Sequence, residues 1–162
     1  MNLLGKSAGD YLSFVRTGMI LIVVMGVIRF AVGASGVPYE RATHFVSLTI
    51  LTSLLAVIYG LRAAVRGFGG YRHLLPLVSM LSACMYGFII LAILVEGLGG
   101  IQGYFHAPGT GLAPSGMSIG FHIAGQLFAM VVFTLVLWGL ASLGFFLSRH
   151  LRFLGRAFLV LG

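Results

Sequence analysis

Residues 17–36 are apolar apart from one arginine, Arg29, which stands thirteen positions beyond Arg16. If this stretch is a membrane-crossing helix, Arg29 lies roughly 20 Å along the axis, about 10 Å inside the outer edge of a ~30 Å hydrocarbon core. A guanidinium at that depth is costly unless it snorkels to the interface or finds a partner. Two carboxylates are candidates. Glu96 lies about 36 Å beyond Arg72 along a later apolar stretch, near the outer boundary. Glu40 sits beside the first outer turn. An Arg29–Glu96 pair would line an outward-facing pocket, open to an anionic or quinone-like head group. An arginine that snorkels, or is tied to Glu40, would be structural. The residues alone leave both readings open.

His44 and His122 are the next candidates, each near the outer start of an inward-running apolar stretch. Two facing histidines can ligate a b-type haem, and a histidine with a glutamate can hold a metal. Depth argues against a shared site, because His44 is about 27 Å from the inner edge and His122 about 40 Å, unless the last helix is tilted or kinked. Histidines at helix starts also serve as interfacial hydrogen-bonding groups. No metal is therefore expected, and haem b or a quinone at His44, His122 and Arg29 is the alternative rather than the first reading. His106, in Tyr104-Phe105-His106-Ala107-Pro108-Gly109, either folds back as a lid or is exposed. Gln126 reads as interhelical glue. The run Tyr39-Glu40-Arg41-Ala42-Thr43-His44 is the densest polar stretch on the outer side, and its Glu40 and Thr43 suit the cap of a helix.

The elements that must position these groups follow from composition. The 162 residues are 59% hydrophobic and only 8% charged, whereas soluble domains carry about 25% charged residues. That excludes a soluble enzyme, a disordered regulator and a solvent-facing coiled coil. The expected fold is an all-α integral membrane protein, a four-transmembrane-helix bundle forming a single membrane domain over 1–162. Its spans are read at approximately 17–36, 43–61, 74–95 and 119–148, each near the ~20 residues that cross a bilayer. Between the last two, residues 97–118 hold seven glycines and two prolines and read as a long outer loop. Residues 151–162 mix Arg152 and Arg156 with apolar side chains and read as an interfacial amphipathic tail. Residues 1–13 suggest the same.

Orientation follows from the basic residues, ten Lys and Arg against three Asp and Glu. Lys6, Arg16, Arg62, Arg66, Arg72, Arg149, Arg152 and Arg156 fall on one side, and Arg41 alone on the other. The positive-inside rule then puts both termini in the cytoplasm. The excess is topogenic, and no nucleic-acid partner is expected. His73 and His150 join the basic rim on that side. Val32-Gly33-Ala34 loosely imitates a signal-peptide cleavage site, but Arg29 just before it is unfavourable and an uncleaved first span is expected. Cys84, the sole cysteine, can form no intramolecular disulfide.

Lipid tails are as apolar as leucine, so helix association depends on close approach at small residues. Three series at four-residue spacing offer such faces: Ala56-Gly60-Ala64, Ser79-Ala83-Gly87 and Gly116-Gly120-Ala124. They suit packing within the bundle, with other membrane subunits, or by self-association. No phosphate loop, HExxH, CxxC, CxxCH or Gly-x-Ser-x-Gly is present, and no span carries an acid in its interior. The arrangement resembles many small bacterial membrane proteins, including minor subunits of respiratory and photosynthetic assemblies, without a residue-level motif. The first expectation is a non-catalytic accessory or structural subunit of a larger inner-membrane complex. The second is a small cytochrome or quinone-site protein. The third is an outer-leaflet lipid-acting enzyme using Glu96 and a histidine, which has no visible nucleophile.

Overall fold

The computed structural model describes the main chain of residues 2–43, 47–106 and 118–161. The chain opens with a two-residue antiparallel hairpin, β1 (Asn2–Leu3) against β2 (Lys6–Ser7). It is followed by α1 (Ala8–Ala34), a short α2 (Tyr39–Thr43), α3 (Leu48–Arg66), α4 (Tyr71–Gly99) and α5 (Ile119–Leu161). Among the described residues α1, α3, α4 and α5 up to Leu151 are long and apolar enough to cross a membrane. The shortest, α3, has 19 residues and rises about 28 Å, just enough for a ~30 Å core.

The starts of α1 and α3 fall where polar side chains satisfy free main-chain N–H groups, not where apolar residues begin. Ser7 Oγ accepts from the Asp10 N–H at 3.2 Å, and Asp10 Oδ2 accepts from the Ser7 N–H at 2.8 Å. This reciprocal cap starts α1 at Ala8, so residues 8–16, expected to lie outside the span, belong to its helix. The second span starts later than expected. Ser47 is its cap, its Oγ accepting from the Ile50 N–H at 3.3 Å. Glu40 and Thr43, read as that cap, lie instead upstream of it in α2. Left-handed glycines end α3 at Gly67 (φ 62°) and α4 at Gly100 (φ 64°), where a side chain would be strained. The tail expected at 151–162 continues α5 without a break as far as Leu161.

The buried face of α1 is Tyr11, Val15, Gly18, Ile22, Gly26, Arg29 and Gly33, a stripe at intervals of three and four. Its glycines admit large partners. A Cβ on Gly18 would fall 2.6 Å from the Tyr59 ring of α3, and one on Gly26 would fall 2.6 Å from Phe88 of α4. Gly18 also donates its N–H to the Tyr59 hydroxyl at 2.8 Å. The closest backbone approach joins α3 to α5, the most extensively packed pair. Gly60 faces the Ala141 carbonyl and Gly144 faces the Val57 carbonyl, so each helix has a glycine opposite the other's main chain.

Of the three small-residue series, only Ala56-Gly60-Ala64 serves the bundle in this way among the described residues. Gly87 and Gly120 face open space, Ser79 and Ala83 line a shallow groove against α5, and Gly116 lies outside the described residues.

A side chain at Gly60 has nowhere to go but into a carbonyl. Gly60→Val should therefore lower stability by about 1–3 kcal/mol or more, the usual scale of overpacking. Gly87→Ala should be neutral or mildly stabilising, since it adds helix propensity in open space. Thermal unfolding of both variants in one detergent, followed by circular dichroism, tests the contrast; equal midpoints would refute the α3–α5 contact.

Candidate functional site

The polar groups gather at one end of the bundle, under the segment Tyr104–His106 that follows α4. This segment is held by a carboxylate. Glu96, in the last turn of α4 and only 2% exposed, accepts the Phe105 N–H at 2.8 Å and the His106 N–H at 2.7 Å, both on Oε2. Its other oxygen, Oε1, has no hydrogen-bond partner among the described residues and presses against Gly103, where any Cβ would overlap it. Close to lipid, main-chain amides need internal acceptors, and one carboxylate oxygen supplies two.

Arg29 reaches the same segment from α1. It is 7% exposed, and its guanidinium carbon lies 5.5 Å from the ring centre of Tyr39 and 5.8 Å from that of Tyr104. The two rings meet edge to face at 5.5 Å, so the cation rests against a pair of electron-rich faces. Tyr104 donates its hydroxyl to the Val37 carbonyl. Burial pushes that hydroxyl's pKa above its ordinary value, and the Arg29 charge pulls it partly back. Tyr104 thus stays a neutral donor that ties the loop after α4 to the turn after α1.

The third anchor is a histidine pair. His122, in the first turn of α5 and 4% exposed, lies with its Nδ1 3.3 Å from the Nδ1 of His106. The ring centroids are 5.6 Å apart, longer than the nitrogen separation by about one ring's centre-to-vertex distance on each side. The two nitrogens therefore lie close to the line between the rings, the geometry of one N–H donating head-on to the other ring's lone pair. Two metal ligands would instead converge at an angle on a third point. The Nε2 of His122 meets the Gln126 amide at 3.2 Å. Both ring nitrogens of His122 are thus engaged by protein, and among the described residues no three His, Cys, Asp or Glu gather as a metal site.

Within this end lies a cavity of about 160 Å³, bounded by Arg29, Tyr39, the start of α3, Ile89, Phe105 and Gln126. All four long helices contribute to its wall. No family model, curated protein or solved structure matches this chain.

Of the residues singled out from sequence, Arg29, Glu96 and His122 all converge on Tyr104–His106, through an aromatic ring, two amides and an imidazole respectively. Glu40 lies in α2 beside Tyr39, and His44 falls outside the described residues. His106 takes the folded-back alternative. What sequence reading missed is the segment itself as the hub. Residue type gave a weak signal, an aromatic pair and a histidine inside a Gly/Pro-rich loop, but the amides that Glu96 binds have no side-chain signature. At the opposite end His73, read as part of the basic rim, is fixed by Tyr11, whose hydroxyl lies 2.7 Å from its Nδ1. His150 stacks on Phe146 with centroids 5.8 Å apart.

If Glu96 holds the segment through a single oxygen, Glu96→Gln should retain most of it, because the amide carbonyl can accept the same two N–H groups. Glu96→Ala should release it, at about 1–3 kcal/mol for each buried amide left unsatisfied. Hydrogen exchange at Phe105 and His106 measures this directly: fast exchange in the alanine variant alone is expected, and unchanged protection there would refute the anchor.

Proposed function

We propose that this chain is a multi-pass protein of the cell inner membrane, a single membrane domain acting as a non-catalytic accessory or structural subunit of a larger assembly. An even number of spans would put both termini on one side, and the distribution of arginine supports the cytoplasmic side. The observation that carries the reading is the use made of the buried polar groups. Glu96 is turned to main-chain amides, His122 to His106 and Gln126, and Tyr59 to the α1 main chain. Groups committed in this way brace the bundle, whereas a general base or a metal ligand needs a lone pair facing a space that substrate or metal can enter. Large apolar side chains such as Ile20, Val27, Leu135 and Phe128 point outward along α1 and α5, giving faces for lipid or neighbouring subunits.

The cytochrome alternative draws less support. An iron at His122 would have to displace either His106 or Gln126. A lipid-acting enzyme draws least, since Glu96 is sealed beneath the segment it holds.

Native mass spectrometry of the protein, gently extracted from its own membrane, tests the subunit role. Masses for further polypeptides bound to a chain without a prosthetic group are expected. A lone chain carrying a stoichiometric haem-sized adduct, with a Soret band lost in His122→Ala, would replace this reading with the cytochrome one.

A further inference from the structure

Gln126, His122 and His106 form a chain of hydrogen bonds whose direction is fixed at one end. An amide nitrogen can only donate, so Gln126 Nε2, 3.2 Å from the Nε2 of His122, makes that ring nitrogen an acceptor. The proton of a neutral His122 is then on Nδ1, and it is donated across 3.3 Å to the Nδ1 of His106. His106 in turn carries its own proton on Nε2. Every link points the same way, from Gln126 through the buried His122 to the half-buried His106. We propose that this chain is a proton sensor, which takes up one proton and reverses direction as it does, turning the Gln126 amide over on the wall of the cavity that Gln126 lines.

Proton counting gives the mechanism. In the neutral chain no ring lone pair is vacant, because Gln126 uses the one on His122 Nε2 and His122 uses the one on His106 Nδ1. A proton added to His106 Nδ1 would face the N–H of His122. One added to His122 Nε2 would face the NH2 of Gln126. A single rearrangement keeps every bond. The added proton goes to His122 Nε2, and the Gln126 amide makes a half turn to accept it with its carbonyl. The proton between the two Nδ1 atoms passes to His106, which becomes the imidazolium and donates back to His122. A second added proton would set N–H against N–H between the rings, so the capacity is one.

The surroundings permit this motion and little else. The His106 ring rests on the main chain of α4, where a Cβ on Gly97 would fall 3.0 Å from its Cδ2. Among the described residues Gln126 makes no other hydrogen bond, so its amide can turn. Glu96 of α4 accepts the His106 main-chain N–H at 2.7 Å, which puts a carboxylate at the foot of the residue that becomes cationic. The opposing charge is Arg29 of α1, which shares the cavity wall with Gln126 at the other end of the chain. Tyr39 of α2 contributes a phenol to that wall, and α3 and its cap contribute Ser47, Leu48 and Thr49, none of which titrates near neutral pH. The carboxylate is bonded to His106 itself, so it governs where the charge settles. The free end of the amide is a carbonyl in the neutral chain and an NH2 in the protonated one. The cavity wall thus changes from acceptor to donor as pH falls through the range, about 5 to 8, in which imidazoles titrate.

The test is nitrogen NMR of the full chain in one detergent, labelled at histidine and glutamine side chains, from about pH 8 to about pH 5. At the upper end His122 should be protonated on Nδ1 and bare on Nε2. On acidification Nε2 should gain a proton, the coupling between the two Nδ1 atoms should persist, and the Gln126 NH2 resonance should move with the same midpoint. These readings need only the wild-type chain. In Gln126→Glu the carboxylate can only accept, so His122 should carry its Nε2 proton already at the upper end. Glu96→Gln, which keeps the acceptor for the segment but removes its charge, should move the midpoint down by about one pH unit or more. His122 protonated on Nε2 at the upper end in wild type would overturn the proposal, as would a Gln126 resonance indifferent to pH. So would loss of the coupling between the rings on the first protonation, two separate proton uptakes within the range, or a midpoint unmoved in Glu96→Gln.

Discussion

The cap end of this bundle depends on one carboxylate oxygen. Where a chain leaves a helix close to lipid, each exposed N–H must find an acceptor inside the protein. The residues after α4 meet that demand through Oε2 of Glu96, which takes two consecutive amides. Fixing Phe105 and His106 in this way also fixes the ring of Tyr104 and the imidazole of His106. The Tyr104 ring gives Arg29 a surface to lie against, and the His106 imidazole gives His122 a partner. Helices α1, α4 and α5 are thereby joined through three residues. Without the amide bonds these contacts would each have to order a flexible loop separately, at an entropic cost of about 1–2 kcal/mol per residue.

The other constraint is distance between helix axes, set by glycines placed opposite bulk. Lipid offers no hydrophobic drive for two apolar helices to meet, so their attraction grows only with close contact. On α1 the glycines receive rings, Tyr59 at Gly18 and Phe88 at Gly26. Between α3 and α5 they receive main chain, with Gly60 and Gly144 each facing a carbonyl of the other helix. These contacts hold the helices near enough for all four to share the wall of one small cavity.

Much of this was legible in the sequence, and the remainder divides by physical cause. Four apolar runs of span length are a composition signal and gave four helices. Their starts were misplaced because a cap is a matter of one hydroxyl: Ser7 and Ser47 set the starts of α1 and α3, while the apolar count pointed to residues 17 and 43. Depth arithmetic placed Arg29 and Glu96 toward the outer boundary, and both lie at the same end. Their partners were not legible, because Glu96 binds amides whose identity is independent of residue type, and because His106 meets His122 only when the intervening loop closes. Small-residue spacing likewise overstated its case. It is necessary for close packing but does not say which face is turned inward, so Gly60 is packed while Gly87 at a similar spacing is open.

The pairing of a buried cation and a buried anion at one end is itself informative. Each alone would be a poor tenant of a low-dielectric region. Glu96 is compensated by dipoles, the N–H groups it accepts, and those dipoles are saturated by it. Arg29 is compensated in part by aromatic faces, which attract a cation but take none of its hydrogen bonds. One oxygen of the acid, Oε2, is met by main chain that has no other use for its amides. The base's fork is directional and suited to oxygen ligands, and it stands on the wall of a cavity.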